Sequence, residues 1–387
     1  SGKSNIVAAL RFFAEFVRDS ATKLQPGAPT GAQPFKLDPA CLTAPSKFEI
    51  TAVINGIRTL YGIEMTRERV TSEYLVAYPK GRPQVWFERD WDETGKKYDW
   101  SKTTRAFKHD DALHEKTREN AAFVGVAAQW NHENASRISE WLKTALVLTY
   151  VSPQPWSAMT ARSLFAHAGA KQPLAKLLMH ADLGIVDARM RKAREDEAIE
   201  EYLHWAIAKN RDQRGRLTKS FFTADTNPTD FEEAVHMMPV PEFLHRAGDE
   251  ANVPLDFEHE ESLGTRRYVA LAADIVKTVA ARNTLLIDEI ETSLHPSLVR
   301  RLLALFLSLP GQPEDCGQII FTTHNPLLLD QTLLRRDQIW FTEKDQEGAT
   351  RLYPLTDFKP RKDESLVKGY LAGRYGGIPF IPEGLKF

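Results

Sequence analysis

The sequence is short of most features that mark a specialised chain. It holds two cysteines, Cys41 and Cys316, far apart and in no CxxC pair, which points away from a zinc knuckle and from a disulfide framework. Charge of either sign is nearly balanced: the formal net charge is -2, so no global basic field exists to gather nucleic acid, and such binding would need a local patch. Long hydrophobic runs are missing too. The longest candidates, such as Leu302 to Leu309, have the size of core helices, not membrane spans. There is no internal repeat and no low-complexity tract. What remains is the profile of a globular protein without membrane contact, expected in the reducing cytoplasm. At 387 residues it has room for two or three structural units.

The chain opens Ser1-Gly2-Lys3-Ser4 with no initiator Met, and it reads as a piece of a longer one. From Ile6 to Val17 apolar residues recur at helical spacing. A Pro/Gly-rich stretch from Gln25 to Pro45 ends that helix. Short runs then follow at Phe48–Ile50, Tyr61–Ile63, Tyr74–Val76 and Val85–Phe87, separated by turns such as Asn55-Gly56, which predicts an antiparallel meander. Trp91 to Lys108 reads as another hairpin or an ordered loop, and Ala121 to Ala128 as a strand-like apolar run ending at Gln129. Ser136 to His180 is mostly helical in pattern, Arg189 to Lys209 reads as a charged amphipathic helix, and Arg211 to Asn227 as turn. From Arg266 helix and strand alternate: helix to Ala281, strand Thr284–Ile287, helix Ser297–Leu309, strand Gln318–Phe321. That alternation predicts a parallel sheet.

Four places carry chemistry. Gly2-Lys3-Ser4 directly before a helix matches the end of a phosphate-binding loop, where backbone N–H groups and the helix dipole favour an anion; a solvated terminal tail would look the same. The strand Thr284–Ile287 ends in Asp288-Glu289, a carboxylate pair suited to a metal ion and to polarising water, or simply to capping the next helix. Ile319-Ile320-Phe321 ends in Thr322-Thr323-His324, and a histidine there either meets a phosphate or serves the structure. Ser262-Leu263-Gly264 opens a helix, either as a second anion site or as an ordinary cap.

In this order the four elements resemble the ABC ATPase head: the end of Walker A, a signature motif, Walker B with its glutamate, and the switch histidine. The likeness is nearest to ABC-type ATPases of the SMC/RecF/OLD lineage, including RloA-like and abortive-infection proteins. Their ES-x-GT-x-R signature is matched by Glu261 to Arg267, and their E-x-x-LHP by Glu291 to Pro296. Glu119 to Phe123 and Tyr370 to Pro379 also look like that family. The resemblance implies an α/β fold, with a mostly parallel sheet, an antiparallel β-meander and a helical lobe. It divides the chain at 1–130, 131–250 and 251–387: first ATPase lobe, helical insert, and ATPase core with the tail.

It further implies ATP and Mg²⁺ as cofactors. Gly2, Lys3, Ser4 and Asn5 would contact nucleotide, Ser4 and Asp288 the metal, and Glu289 and His324 would be catalytic. Ser262 and Gly264 of a second copy would close the site, with Ser293 to His295 crossing between the two sites and Gln129 in the Q-loop position. The expected protein is thus an ATPase that dimerises on ATP and drives a separately encoded effector, such as a nuclease, in anti-phage defence. Two rivals are a RecF-like ATPase that binds DNA directly and a scaffold that binds nucleotide without hydrolysing it.

Overall fold

The computed structural model describes residues 2–100, 103–104, 107, 112–144, 146–149, 181, 184–192, 239–247, 251–257, 260–308, 317–361 and 363–378. In chain order, helix α1 (Lys3–Lys23) precedes strands β1 (Ser46–Ile54), β2 (Ile57–Met65), β3 (Val70–Tyr78), β4 (Gln84–Asp92) and β5 (Lys97–Asp99). Helices α2 (Ala112–Lys116), α3 (Phe123–Gln129) and α4 (Glu133–Thr144) come next, then strands β6 (Leu146–Thr149), β7 (Ile185–Lys192), β8 (Pro239–Ala247) and β9 (Ala251–Asp256). The remainder is α5 (Leu263–Ala281), β10 (Thr284–Ile287), α6 (Pro296–Ser308), β11 (Gln318–Phe321), β12 (Trp340–Lys344), β13 (Thr350–Pro354) and α7 (Leu366–Leu371).

These elements form two compact units. One comprises Ser1–Tyr150, Arg282–Ile290 and Gly317–Phe387, the other Val151–Ala281 and Glu291–Cys316. The first unit is discontinuous in sequence because strands from three distant segments meet in one sheet. Strands β6, β10 and β11 pair in parallel in the order β11-β10-β6. Among the described residues parallel pairing is confined to that sheet. Strands β1 to β5 form an antiparallel meander, β7 to β9 a second antiparallel sheet, and β12 and β13 a hairpin.

The first unit's core sits between α1, the inner face of the meander, and α3 with α4. Phe13, Phe16 and Val17 repeat at three- and four-residue intervals and lie buried on one face of α1. Alternate residues Tyr61, Ile63 and Met65 of β2 are buried against them, as a half-covered strand requires. Asn55 and Gly56, both at positive φ (50° and 75°), make the tight turn between β1 and β2.

Three sequence expectations change. Ala121 to Ala128 contributes to a helix, α3, not a strand. A continuous apolar run cannot by itself tell a buried strand from a buried helix, and here its N-terminus is anchored by a side chain of the meander. The N–H groups of Phe123 and Val124 donate to the Glu73 carboxylate at 2.8 and 3.1 Å. Arg189 to Lys192 lies in strand β7, paired with β8, so the helix expected from Arg189 does not begin there; 193–209 and 211–227 lie outside the described residues. The helical reading from Ser136 holds through α4, after which β6 follows; the stretch from 150 to 180 is outside the described residues. The stretch from Trp91, expected as a hairpin or an ordered loop, begins in the β4–β5 hairpin.

Two of the segments singled out in the sequence serve the structure. Asn120 donates through its amide to the Gln25 and Ala28 carbonyls, both at 2.8 Å, tying the loop after α1 to the start of α3. In the tail, Tyr375 is fully buried, stacks on Phe341, and donates its hydroxyl to Glu364 at 2.7 Å.

Candidate functional site

Strands β10 and β11 are in register with Ile287 opposite Phe321, so the residues that follow, Asp288 and Thr322, come out side by side. The C-terminal edge of a parallel sheet is where ligands bind in open α/β folds. Thr322 organises this edge. Its Oγ1 donates to Asp288 Oδ1 at 2.5 Å and accepts the Glu289 N–H at 2.8 Å. Its backbone N–H donates to the Ile287 carbonyl at 2.9 Å, and its carbonyl accepts the Ile290 N–H at 3.1 Å. Glu289 is thereby held at φ 48°, in the left-handed region. A non-glycine residue keeps such a backbone at a cost of ~1–3 kcal/mol, a strain that tends to collect at working sites.

His324 Nε2 lies 3.6 Å from Glu289 Oε1, with the two side chains 59% and 47% exposed. A pair so open to water adds little to stability, so its placement has to be explained by something else. The turn after it is rigid: Thr323 Oγ1 accepts the Asn325 N–H and Asn325 Oδ1 accepts the Leu327 N–H, both at 3.0 Å. Asp288, Glu289 and His324 are therefore brought together on one rim. Among the described residues no group of three or more His, Cys, Asp or Glu could hold a metal alone. The donor set fits magnesium, which takes one or two protein oxygens and fills the rest of its octahedron with water and phosphate oxygens.

Lys3 and Ser4 stand in the first turn of α1, in the same unit as that rim. Helix α1 packs against β6, which is paired with β10. Gly2 begins the helix at φ 85°, and a Cβ built there would fall 2.0 Å from Thr350 Oγ1 on β13, so only glycine fits. Gly2 brings no side-chain cap, its carbonyl accepts the Asn5 N–H at 3.1 Å, and Ser4 and Asn5 are exposed. A helix start without a side-chain cap suits an anion. Gln129 is the exposed last residue of helix α3. The run before it is this helix and not the strand expected from the sequence.

Ser262 and Gly264 belong to the other unit. Ser262 Oγ accepts the Thr265 N–H at 3.0 Å and lies 2.8 Å from Thr265 Oγ1, so the capping role is real. Ser262 is nonetheless exposed, and Leu263 beside it is 52% exposed. A Cβ on Gly264 would sit 3.0 Å from the Ser293 carbonyl, so the left-handed turn at Ser293 packs directly on this glycine. One turn further, burial pulls the Arg267 guanidinium down to about 10, against the opposing field of Asp274. Sequence reasoning missed the role of Thr322. The signal was there in principle, since two parallel strands ending together place Thr322 next to Asp288.

A carboxylate pair and a histidine at the end of parallel strands, with a glycine-led helix start in the same unit, fit a P-loop ATPase, an ATP-binding class. The family model described as "AAA domain, putative AbiEii toxin, Type IV TA system" matches residues 1–330, and the chain belongs to that family. No curated protein matches the sequence. Among solved structures it is similar to one described as the SMC head bound to the C-winged helix domain of ScpA. That likeness is 13% in identity over 91% of this chain and 86% of that chain, at a TM-score of 0.33.

Proposed function

We propose that the protein hydrolyses ATP with Mg²⁺, that ATP closes two copies into a homodimer, and that this cycle controls a separately encoded effector. The observation that carries the proposal is the Thr322-centred arrangement of Asp288, Glu289 and His324. Lys3 would bind the outer phosphates, with Gly2 and Asn5 contributing backbone at the helix start. The Ser4 hydroxyl and Asp288 would hold Mg²⁺, whose charge offsets that of the phosphates. Glu289 would take the proton of the attacking water, and His324 would hydrogen-bond the terminal phosphate. Ser262 and Gly264 of the second copy would complete the site, with Ser293 to His295 linking the two sites. The family description, naming a toxin of a toxin–antitoxin system, supports a partner; the setting proposed with it is bacterial anti-phage defence, in the cytoplasm. A nuclease is one candidate effector.

The test uses the purified full-length protein. Turnover of ATP should require Mg²⁺, and Glu289→Gln should lower it by ~10²–10⁴ while ATP-dependent dimers accumulate in sedimentation. A wild-type protein that dimerises on ATP without turning it over would replace this reading with a nucleotide-gated scaffold. Turnover stimulated by DNA with no partner present would favour direct DNA binding instead.

A further inference from the structure

The turn that carries Ser262 has a support that the proposed cycle leaves unexplained. His245, on β8, places Nε2 2.5 Å from Glu261 Oε1, and Glu261 immediately precedes Ser262. The Glu261 side chain is 4% exposed. A carboxylate taken this far out of water has to be met by a donor. His245 supplies one through Nε2–H, whether its ring is neutral or protonated. The backbone adds a second constraint. The Asp256 carbonyl, at the end of β9, accepts the N–H groups of Glu260 and Glu261 at 3.0 and 3.1 Å, while its own N–H donates to the Glu260 carboxylate at 2.6 Å. On the far side of the turn, Gly264 rests against the Ser293 carbonyl. The exposed Ser262 and Leu263 thus project from a turn clamped at both ends.

We infer that His245 is a positioning residue: through Glu261 it fixes the orientation in which Ser262 and Gly264 meet the nucleotide of a second copy. This rests on the dimer reading above. Its consequence is specific. Because the turn acts on the other copy's site, loss of His245 weakens closure and leaves each copy's own hold on ATP intact.

The experiment compares His245→Phe, which keeps a ring without a donor, with His245→Gln, whose amide can still donate to Glu261. Both are made in the full-length protein, alone and with Glu289→Gln. ATP affinity is measured at low protein concentration, and ATP-dependent dimerisation by sedimentation. The expected result is unchanged ATP affinity in both variants. Dimerisation should weaken about tenfold in His245→Phe, the scale of one hydrogen bond to a charged group, with most of it restored in His245→Gln. Equal dimerisation in the Phe variant and the parent, or an equal loss in both variants, overturns the inference, as does a parallel loss of ATP affinity. Ser262→Ala separates the two levels. If it abolishes dimerisation and the His245 variants do not, only the positioning role falls; if it too has no effect, the dimer reading itself falls.

Discussion

Two glutamates of the same compact unit are used in opposite ways. Glu73 is fully buried in β3, ion-paired with Arg89 at 2.7 Å, and also accepts the Tyr61 hydroxyl at 2.8 Å and two N–H groups of α3. Arg89 in turn donates to the Ala121 carbonyl at 2.6 Å and lies over the rings of Tyr98 and Trp100. Burial, reinforced by the Glu73 charge, pushes the Tyr61 hydroxyl well above its ordinary range, so it stays a donor. Glu289 is half-exposed, sits on left-handed backbone and faces His324. A saturated, dry carboxylate ties a helix to a sheet. A strained carboxylate turned toward water contributes nothing comparable to the fold, and the catalytic role proposed for it would account for its position.

The same substitution at both positions should break this contrast or confirm it. Glu289→Gln should lower ATP turnover by ~10²–10⁴, the range for losing a general base, with an unchanged denaturation midpoint. Glu73→Gln should do the reverse. It leaves the Arg89 charge buried without its anion, and urea titration should show a loss of about 3–5 kcal/mol. Thr322→Val should fall between the two, because it removes the hydroxyl that holds Asp288 and leaves the Glu289 N–H without its acceptor. A loss of about 1–3 kcal/mol in stability, with turnover reduced in the folded protein, would fit that double role. If Thr322→Val lost stability alone, the rim would be a structural corner only.

Legibility in the sequence followed physical distinctness. Strands β10 and β11 could be bounded to the residue, because unbroken apolar runs there end abruptly in polar ones. The meander was equally plain from its short strand-like runs and its Asn-Gly turn. Strand β6 was hidden: four residues directly after a helix carry no period of their own. Helix α3 was mistaken for a strand because burial on every side erases the helical stripe. Asp288, Glu289 and His324 could be named in advance, yet Thr322 becomes visible as their organiser only once the register of β10 against β11 is known. The contact of His245 with Glu261 had no signal at all, since nothing local in the sequence pairs residues from a strand and a distant turn.

Turnover in mixed dimers tests the composite site most directly. Ser262→Ala and Glu289→Gln proteins should each be inactive alone, since every site in each dimer then lacks one half of its machinery. On mixing, each heterodimer contains one site with both halves intact, and ATP turnover should reappear. Two folded, individually inactive proteins that stay inactive when mixed into heterodimers would contradict the account.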